Sequence, residues 1–429
     1  MSKYGHGNSA WWQEARFGMF IHWGLYAMPA RHEWIRNYEK ITVEDYQKYF
    51  DHFDPDRYDP AEWARTAREA GMKYVVFTAK HHDGFCMWDS KHTDYKVTHT
   101  PCGKDLLRQL LDAFRAEGIR TGVYYSLIDW HHPEFLVDDL HPLRDVEEEN
   151  EKNKQRNMRK YAEYMRNQVT ELLTEYGQID IIWFDFSYPH LKRGKGREDW
   201  ESEKLVRLVR ELQPEILIDD RLDLPEAGDF CSPEQHVPSG GIRDEQGQLV
   251  LWEGCQTFSG SWGYHRDESS WKSNKMLIEM LIQHVSRGGN LLMNVGPTAR
   301  GYLDHRAVSA LQGYARWMKY HSRSIYGCTL ASEEFTEPEN CRYTYNPETN
   351  RLYLHLLVWP FKFIHLPNLG GKVEYVQLLT DGSEIFFRDS STSVHMNEQA
   401  PENAVSLDLP PVQPNTEIPV IEIFLKNNR

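Results

Sequence analysis

The chain has 429 residues, enough for one large barrel with an appendage or for two or three domains. Hydrophobic residues make up 40% and charged residues 26%, an ordinary globular composition, and a net charge of −15 argues against nucleic acid and anionic membranes as partners. No run approaches the roughly 18 apolar residues of a membrane helix. Six scattered cysteines with no Cys-x-x-Cys pair, and an N-terminus without an apolar signal segment, point to a reduced, cytoplasmic protein.

In chain order, Met19-Phe-Ile-His-Trp-Gly24 reads as a short strand ending in His22. The aromatic stretch from Leu25 to Tyr38 reads as a long loop over one barrel end. Asp59 with Pro60 starts a helix that ends at Gly71, and Tyr74-Val-Val-Phe-Thr-Ala79 is a strand followed by Lys80-His-His-Asp-Gly84. Lys104 to Glu117 carries leucines and Phe114 on one side, and Thr121-Gly-Val-Tyr-Tyr-Ser126 is the next strand. Arg144 to Tyr176 is expected as one long helix, frayed at its acidic start.

Asp180-Ile-Ile-Trp-Phe-Asp-Phe-Ser-Tyr188 is the central stretch: an apolar run typical of a buried parallel strand, ending on one carboxylate, Asp185. A helix around Trp200 to Leu212 and a strand Ile216-Leu-Ile-Asp-Asp-Arg221 follow. Between Leu222 and Tyr264 the pattern weakens to loops and short strands. Trp271 to Arg287 is a helix, Asn290-Leu-Leu-Met-Asn-Val295 a strand, and Asp304 caps a helix to about His321. The polar residues fall on one end of every strand: His22, His81/His82, Asp129, Asp185, Asp219–Arg221 and Asn294. Closing such strands into a degenerate (β/α)8 TIM-like barrel gathers these residues around one mouth. Short alternating runs after about Tyr326 predict a C-terminal antiparallel β-sandwich, which gives a division into residues 1–327 and 328–429.

The mouth offers carboxylates, imidazoles, indoles and one arginine, and no phosphate-binding glycine loop or Gly-x-Ser-x-Gly elbow accompanies them. Rings and imidazoles suit a neutral, hydroxyl-rich ligand. Glycoside hydrolysis needs two carboxyl groups, one ionised and one protonated. Asp185 is the nucleophile candidate because a rigid strand end aims it; the acid is open among Glu226, Glu234, Glu245 and Glu253. A metal-dependent hydrolase using His22, His81, His82 and Asp185 as ligands is the competing reading, although no His-x-His or His-x-x-x-His spacing supports it. A non-catalytic sugar-binding protein is a third.

Four stretches together resemble glycoside hydrolase family 29, the α-L-fucosidases: Phe20-Ile-His-Trp-Gly24, Ala79-Lys-His-His-Asp-Gly-Phe85, Trp183-Phe-Asp185 and Gly289-Asn-Leu-Leu-Met-Asn-Val-Gly-Pro297. The resemblance covers the first 330 residues or so. It implies a retaining exo-acting enzyme on a degenerate barrel with a C-terminal β-sandwich, acting on fucosylated glycans or glycosides, with no cofactor and no metal. Members of the family often assemble, which leaves a homo-oligomer open. By the same resemblance Asp185 matches the nucleophile, and His22, Glu33, Trp34, His81, His82, Trp183, Arg221 and Trp262 match fucose-binding positions. A further tyrosine lies in Tyr124-Tyr125, neighbours that face opposite ways on a strand. Glu234, 13 residues after Arg221, is the best match to the acid/base, with Glu253 as runner-up.

Overall fold

A computed structural model describes residues 3–389 and 403–427. Seven parallel strands form one sheet: β1 (Phe17–Ile21), β2 (Tyr74–Lys80), β3 (Arg120–Ser126), β4 (Ile181–Asp185) and β5 (Leu217–Ile218), then β8 (Glu253–Thr257) and β9 (Asn290–Val295). The order β5-β4-β3-β2-β1-β9-β8 wraps the chain's last barrel strand back onto its first, with β9 pairing β1 from Phe17↔Leu291 to Ile21↔Val295. A short antiparallel hairpin, β6 (Ile242–Arg243) and β7 (Leu249–Val250), lies outside this sheet.

The gap between β5 and β8 is filled by residues 229–234. The Asp229 amide donates to the Ile218 carbonyl at 2.7 Å, and isolated parallel bridges join Cys231 to Trp252 and Glu234 to Cys255. This segment is an eighth stave reduced to one backbone bond to β5 and isolated bridges on the β8 side. Its Ser232-Pro233 pair explains the reduction, since proline offers no ladder donor.

The helices follow local capping chemistry. Asp59 accepts from the Glu62 amide ahead of Pro60, Asp105 caps Leu106–Ala116, and Ser273 caps Asn274–Val285. The helix expected over Arg144 to Tyr176 is instead two, Glu147–Lys152 and Met158–Glu175. Asn157 starts the second by accepting from the Arg159 amide, while the Asn153 side chain turns away to the Val137 backbone. The strand after the second helix, β4, is buried at all five positions, which is why it reads as a continuous apolar run.

The C-terminal part contains a four-stranded antiparallel sheet, β10 (Cys341–Asn346), β11 (Arg351–Leu356), β16 (Val420–Leu425) and β13 (Val373–Leu378) in that order. A three-stranded sheet has the order β12 (Phe363–Leu366), β15 (Val405–Asp408), β14 (Phe387–Asp389). The sheets share a core that includes Leu354, Leu366, Val376, Leu407 and Ile423. They join the barrel through its last helix, His305–His321, where Trp317 Nε1 donates to the Ile418 carbonyl at 2.9 Å.

Candidate active site

Each barrel strand delivers its chemistry at the C-terminal end. His22 follows β1, His81 and His82 follow β2, Asp185 ends β4, and Arg221 comes three residues after β5. Asp185 is 8% exposed. Its Oδ2 accepts from the Tyr124 hydroxyl at 2.7 Å, and its Oδ1 accepts from Arg221 Nη1 at 2.9 Å. The same Nη1 reaches Glu234 Oε2 at 3.0 Å. Two carboxylate oxygens held by one nitrogen lie within about 6 Å of each other, compatible with the roughly 5–5.5 Å of a retaining pair. Burial pulls the Arg221 pKa down, but the negative charges of Asp185 and Glu234 outweigh it and hold the guanidinium firmly protonated. The Arg221 guanidinium also lies 4.6 Å from the Trp183 ring centroid, so that indole is the floor beneath the pair.

The histidines are neutral. Burial pushes His22 and His82 down to about 3, and His81 falls well below the ordinary imidazole range for the same reason. Their tautomers follow from their partners. Ser126 Oγ donates to the Ile128 carbonyl at 2.8 Å, so it accepts from His82 Nδ1 at 2.7 Å. Asn294 Nδ2 donates to the Trp262 carbonyl at 2.6 Å, so its Oδ1 accepts from His22 Nδ1 at 2.7 Å. Each ring therefore keeps an unprotonated Nε2, and that of His82 sits 3.9 Å from Asp185 Oδ2. His81 Nδ1 is buried and makes no hydrogen bond among the described residues.

Aromatic rings close the sides. Trp262 packs 5.1 Å from His22, and Trp34 meets His82 at 5.0 Å, edge to face. Glu33 is 2% exposed; its Oε2 accepts from the Gly263 amide at 2.8 Å, tying the loop after β1 to the Trp262 segment. Burial raises the Glu33 pKa.

Two choices that the residues left open are decided by the geometry. Tyr124 faces the pocket, whereas the Tyr125 hydroxyl points outward to Gln168 Oε1 at 2.7 Å, so Tyr125 leaves the set. Glu253 heads β8 at the opposite end from Asp185, fully buried, and accepts from Trp12 Nε1 at 3.2 Å, Trp183 Nε1 at 3.3 Å and the Tyr74 hydroxyl. It supports the Trp183 floor from beneath and has no route to a bound sugar's leaving group. The sequence reading also missed Ser126, Trp130 and Phe186. Phe186 has φ +93° directly after Asp185, a strained backbone of the kind kept where function holds it. Its ring lies 5.3 Å from His82 and 5.4 Å from Trp34. Among the described residues, no group of three or more His, Cys, Asp or Glu is arranged to hold a metal ion, and no helix is long and apolar enough to cross a membrane.

A family model described as alpha-L-fucosidase matches residues 2–323. The chain is 45% identical to alpha-L-fucosidase isoenzyme 1 from Paenibacillus thiaminolyticus, over 98% of this chain and 99% of that structure, with a TM-score of 0.91. It is 27% identical, with a TM-score of 0.84 and full coverage of both chains (100% each), to an alpha-L-fucosidase GH29 from Bacteroides thetaiotaomicron, solved as a trapped covalent intermediate with 2-fluoro-fucosyl fluoride. Plasma alpha-L-fucosidase of Rattus norvegicus is 29% identical over 416 residues, 90% of this chain and 85% of that protein.

Proposed function

The chain belongs to the α-L-fucosidase family, glycoside hydrolase family 29, and we propose that within this retaining enzyme Asp185 is the nucleophile and Glu234 the acid/base. The observation that carries the assignment is the Arg221 nitrogen shared by the two carboxylates at 2.9 and 3.0 Å. Asp185, fixed by Arg221 and Tyr124, attacks the anomeric carbon of a terminal α-L-fucosyl group. Glu234 is tethered through Oε2, which leaves Oε1 to carry the proton given to the departing glycosidic oxygen. The ester to Asp185 is then opened by a water whose proton Glu234 takes back, so the anomeric configuration is retained.

The unprotonated Nε2 atoms of His22 and His82 accept hydrogen bonds from sugar hydroxyls, and His81, Glu33 and Trp34 complete that polar side. Trp262 faces the ring's methyl group. The division into a catalytic unit, residues 1–327, and an appended β-sandwich, 328–429, belongs to the same proposal; the separate apolar core of the C-terminal sheets supports it. A cytoplasmic setting is supported by six cysteines that are all unpaired.

Asp185→Asn tests the central assignment. It should lower kcat by about a thousandfold or more, because covalent catalysis is lost. Azide should then restore turnover of an activated fucoside and yield the β-fucosyl azide. Near-normal turnover without azide removes Asp185 from the role.

A further inference from the structure

A cavity of about 680 Å³ opens beside Arg221 and Glu234, within the usual size of small-molecule sites. Arg221 and Glu234 line it and His22, His81, His82 and Trp262 do not, so it lies on the Glu234 side of the site, away from the histidines. Phe186 divides the two: it lines the cavity, yet its ring packs on Trp34 and His82 on one side and lies 5.6 Å from Tyr188 on the other.

We propose that this cavity is the leaving-group subsite, and that it takes a neutral sugar and rejects an anionic one; the proposal rests on Glu234 being the acid. An acid must stand beside the glycosidic oxygen, so whatever hangs from that oxygen extends past Glu234, into the space Glu234 itself lines. One wall there is apolar, built from Leu140, Phe186, Pro189 and Leu191, and suits the C–H face of a pyranose. A second, acidic part of the lining holds Asp220, Asp223 and Glu234, with Ser232 between the last two in the chain.

The charge balance of that part is negative. Arg221 is the cation that lines the cavity, and its donors are committed: Nε to Ser232 Oγ at 3.2 Å, Nη2 to the Ser232 carbonyl at 3.1 Å, and Nη1 to the two catalytic carboxylates. Neither Asp220 nor Asp223 forms an ion pair among the described residues; Asp220 accepts from Ser232 and Asp223 from the Arg197 amide. His190 also lines the space and forms no ion pair among the described residues. A carboxylated or sulfated leaving group would thus meet like charge with no uncommitted Lys or Arg among the residues that line the cavity.

The apolar wall is held ready. The Tyr188 hydroxyl donates to Asp138 Oδ2 at 2.6 Å, and the buried Lys195 pairs with the same carboxylate while donating to the Leu136 carbonyl at 3.0 Å. The segment after β4, which carries Leu191, is thereby clamped to the segment after β3, which carries Leu140, without help from a ligand.

The test compares three substrates: an aryl α-L-fucoside, a neutral fucosylated oligosaccharide, and the same oligosaccharide bearing a sialic acid beside the fucosylated unit. Wild-type kcat/KM should favour the neutral oligosaccharide over the sialylated one by about tenfold or more. Leu191→Trp, which fills the cavity, should cut kcat/KM on the neutral oligosaccharide by about tenfold, mainly through KM, and leave the aryl fucoside within about threefold. Asp223→Asn should narrow the neutral-to-sialylated ratio. Leu140→Trp fills the cavity from the other segment and should repeat the Leu191→Trp pattern if that variant folds poorly. Equal wild-type rates on the neutral and sialylated substrates overturn the charge argument. Unchanged oligosaccharide kinetics in a folded filled variant overturn the subsite. Failure of the underlying reading looks different: if Glu234 is not the acid, Glu234→Ala slows aryl and oligosaccharide substrates by the same factor.

Discussion

Glu253 offers a quantitative check on the floor of the active site. Burial lifts its pKa from the ordinary 4.5 to about 7, against the pull of three donors, Tyr74, Trp12 and Trp183. In the folded protein the carboxyl thus keeps its proton to about pH 7, and in the unfolded chain only to about 4.5. The folded state binds more protons across that window, so this residue's contribution is full below pH 4.5 and is lost as pH rises to about 7. At about 1.4 kcal/mol per pH unit the loss amounts to about 3 kcal/mol. Glu253→Gln carries no such titration. Its unfolding free energy, measured by urea denaturation between pH 4 and 8, should gain on the wild type by about 3 kcal/mol over that span. Because Glu253 sits under Trp183 and cannot reach the glycosidic oxygen, the variant should slow good and poor leaving groups by one common factor. A stability gap that does not change with pH refutes the burial argument, and a rate loss confined to poor leaving groups would make Glu253 the acid.

Two further outcomes follow from the site. Glu234→Ala should slow hydrolysis of natural oligosaccharides by about a hundredfold or more and aryl fucosides with good leaving groups far less, measured as kcat over a series of leaving-group pKa values. Tyr124→Phe removes one hydrogen bond to a charged carboxylate, about 1.5–3 kcal/mol, and should lower kcat by about ten- to a hundredfold, whereas Tyr125→Phe, on the outer face, should leave kcat/KM within about twofold.

Much of this was legible in the residues, for a physical reason. Strands buried on both faces must be apolar throughout, so β2, β4 and β9 stand out as runs, and the parallel arrangement sends all their polar ends the same way. The choice between Tyr124 and Tyr125 was not legible. Alternation says that they oppose each other, but which one faces inward depends on register, and the pairing Tyr124↔Trp183 brings it onto the face of Asp185 only through contacts with β4. Short strands such as β12 and β14 also escaped, since three or four residues carry too little periodicity. The break at residues 153–157 is set by Asn153 reaching a distant backbone, which helical patterning cannot anticipate.

The same contrast separates the two carboxylates. Asp185 closes a five-residue strand paired on both sides, so its position is dictated by a ladder and its sequence context is distinctive. Glu234 stands on the stave that the barrel has nearly lost, joined to β8 by isolated bridges around Pro233. Nothing in a Ser-Pro-Glu segment marks a strand, which is why the residues alone left four glutamates open. A carboxyl on so weak an element would wander, and Arg221 answers that: it hangs from the end of β5, grips Ser232 with Nε and Nη2, and reaches both carboxylates with Nη1. The sheet therefore fixes Asp185, and one half-buried guanidinium sets Glu234 relative to it. A lysine at that position, with a single nitrogen, could not hold the segment and bridge the pair at once.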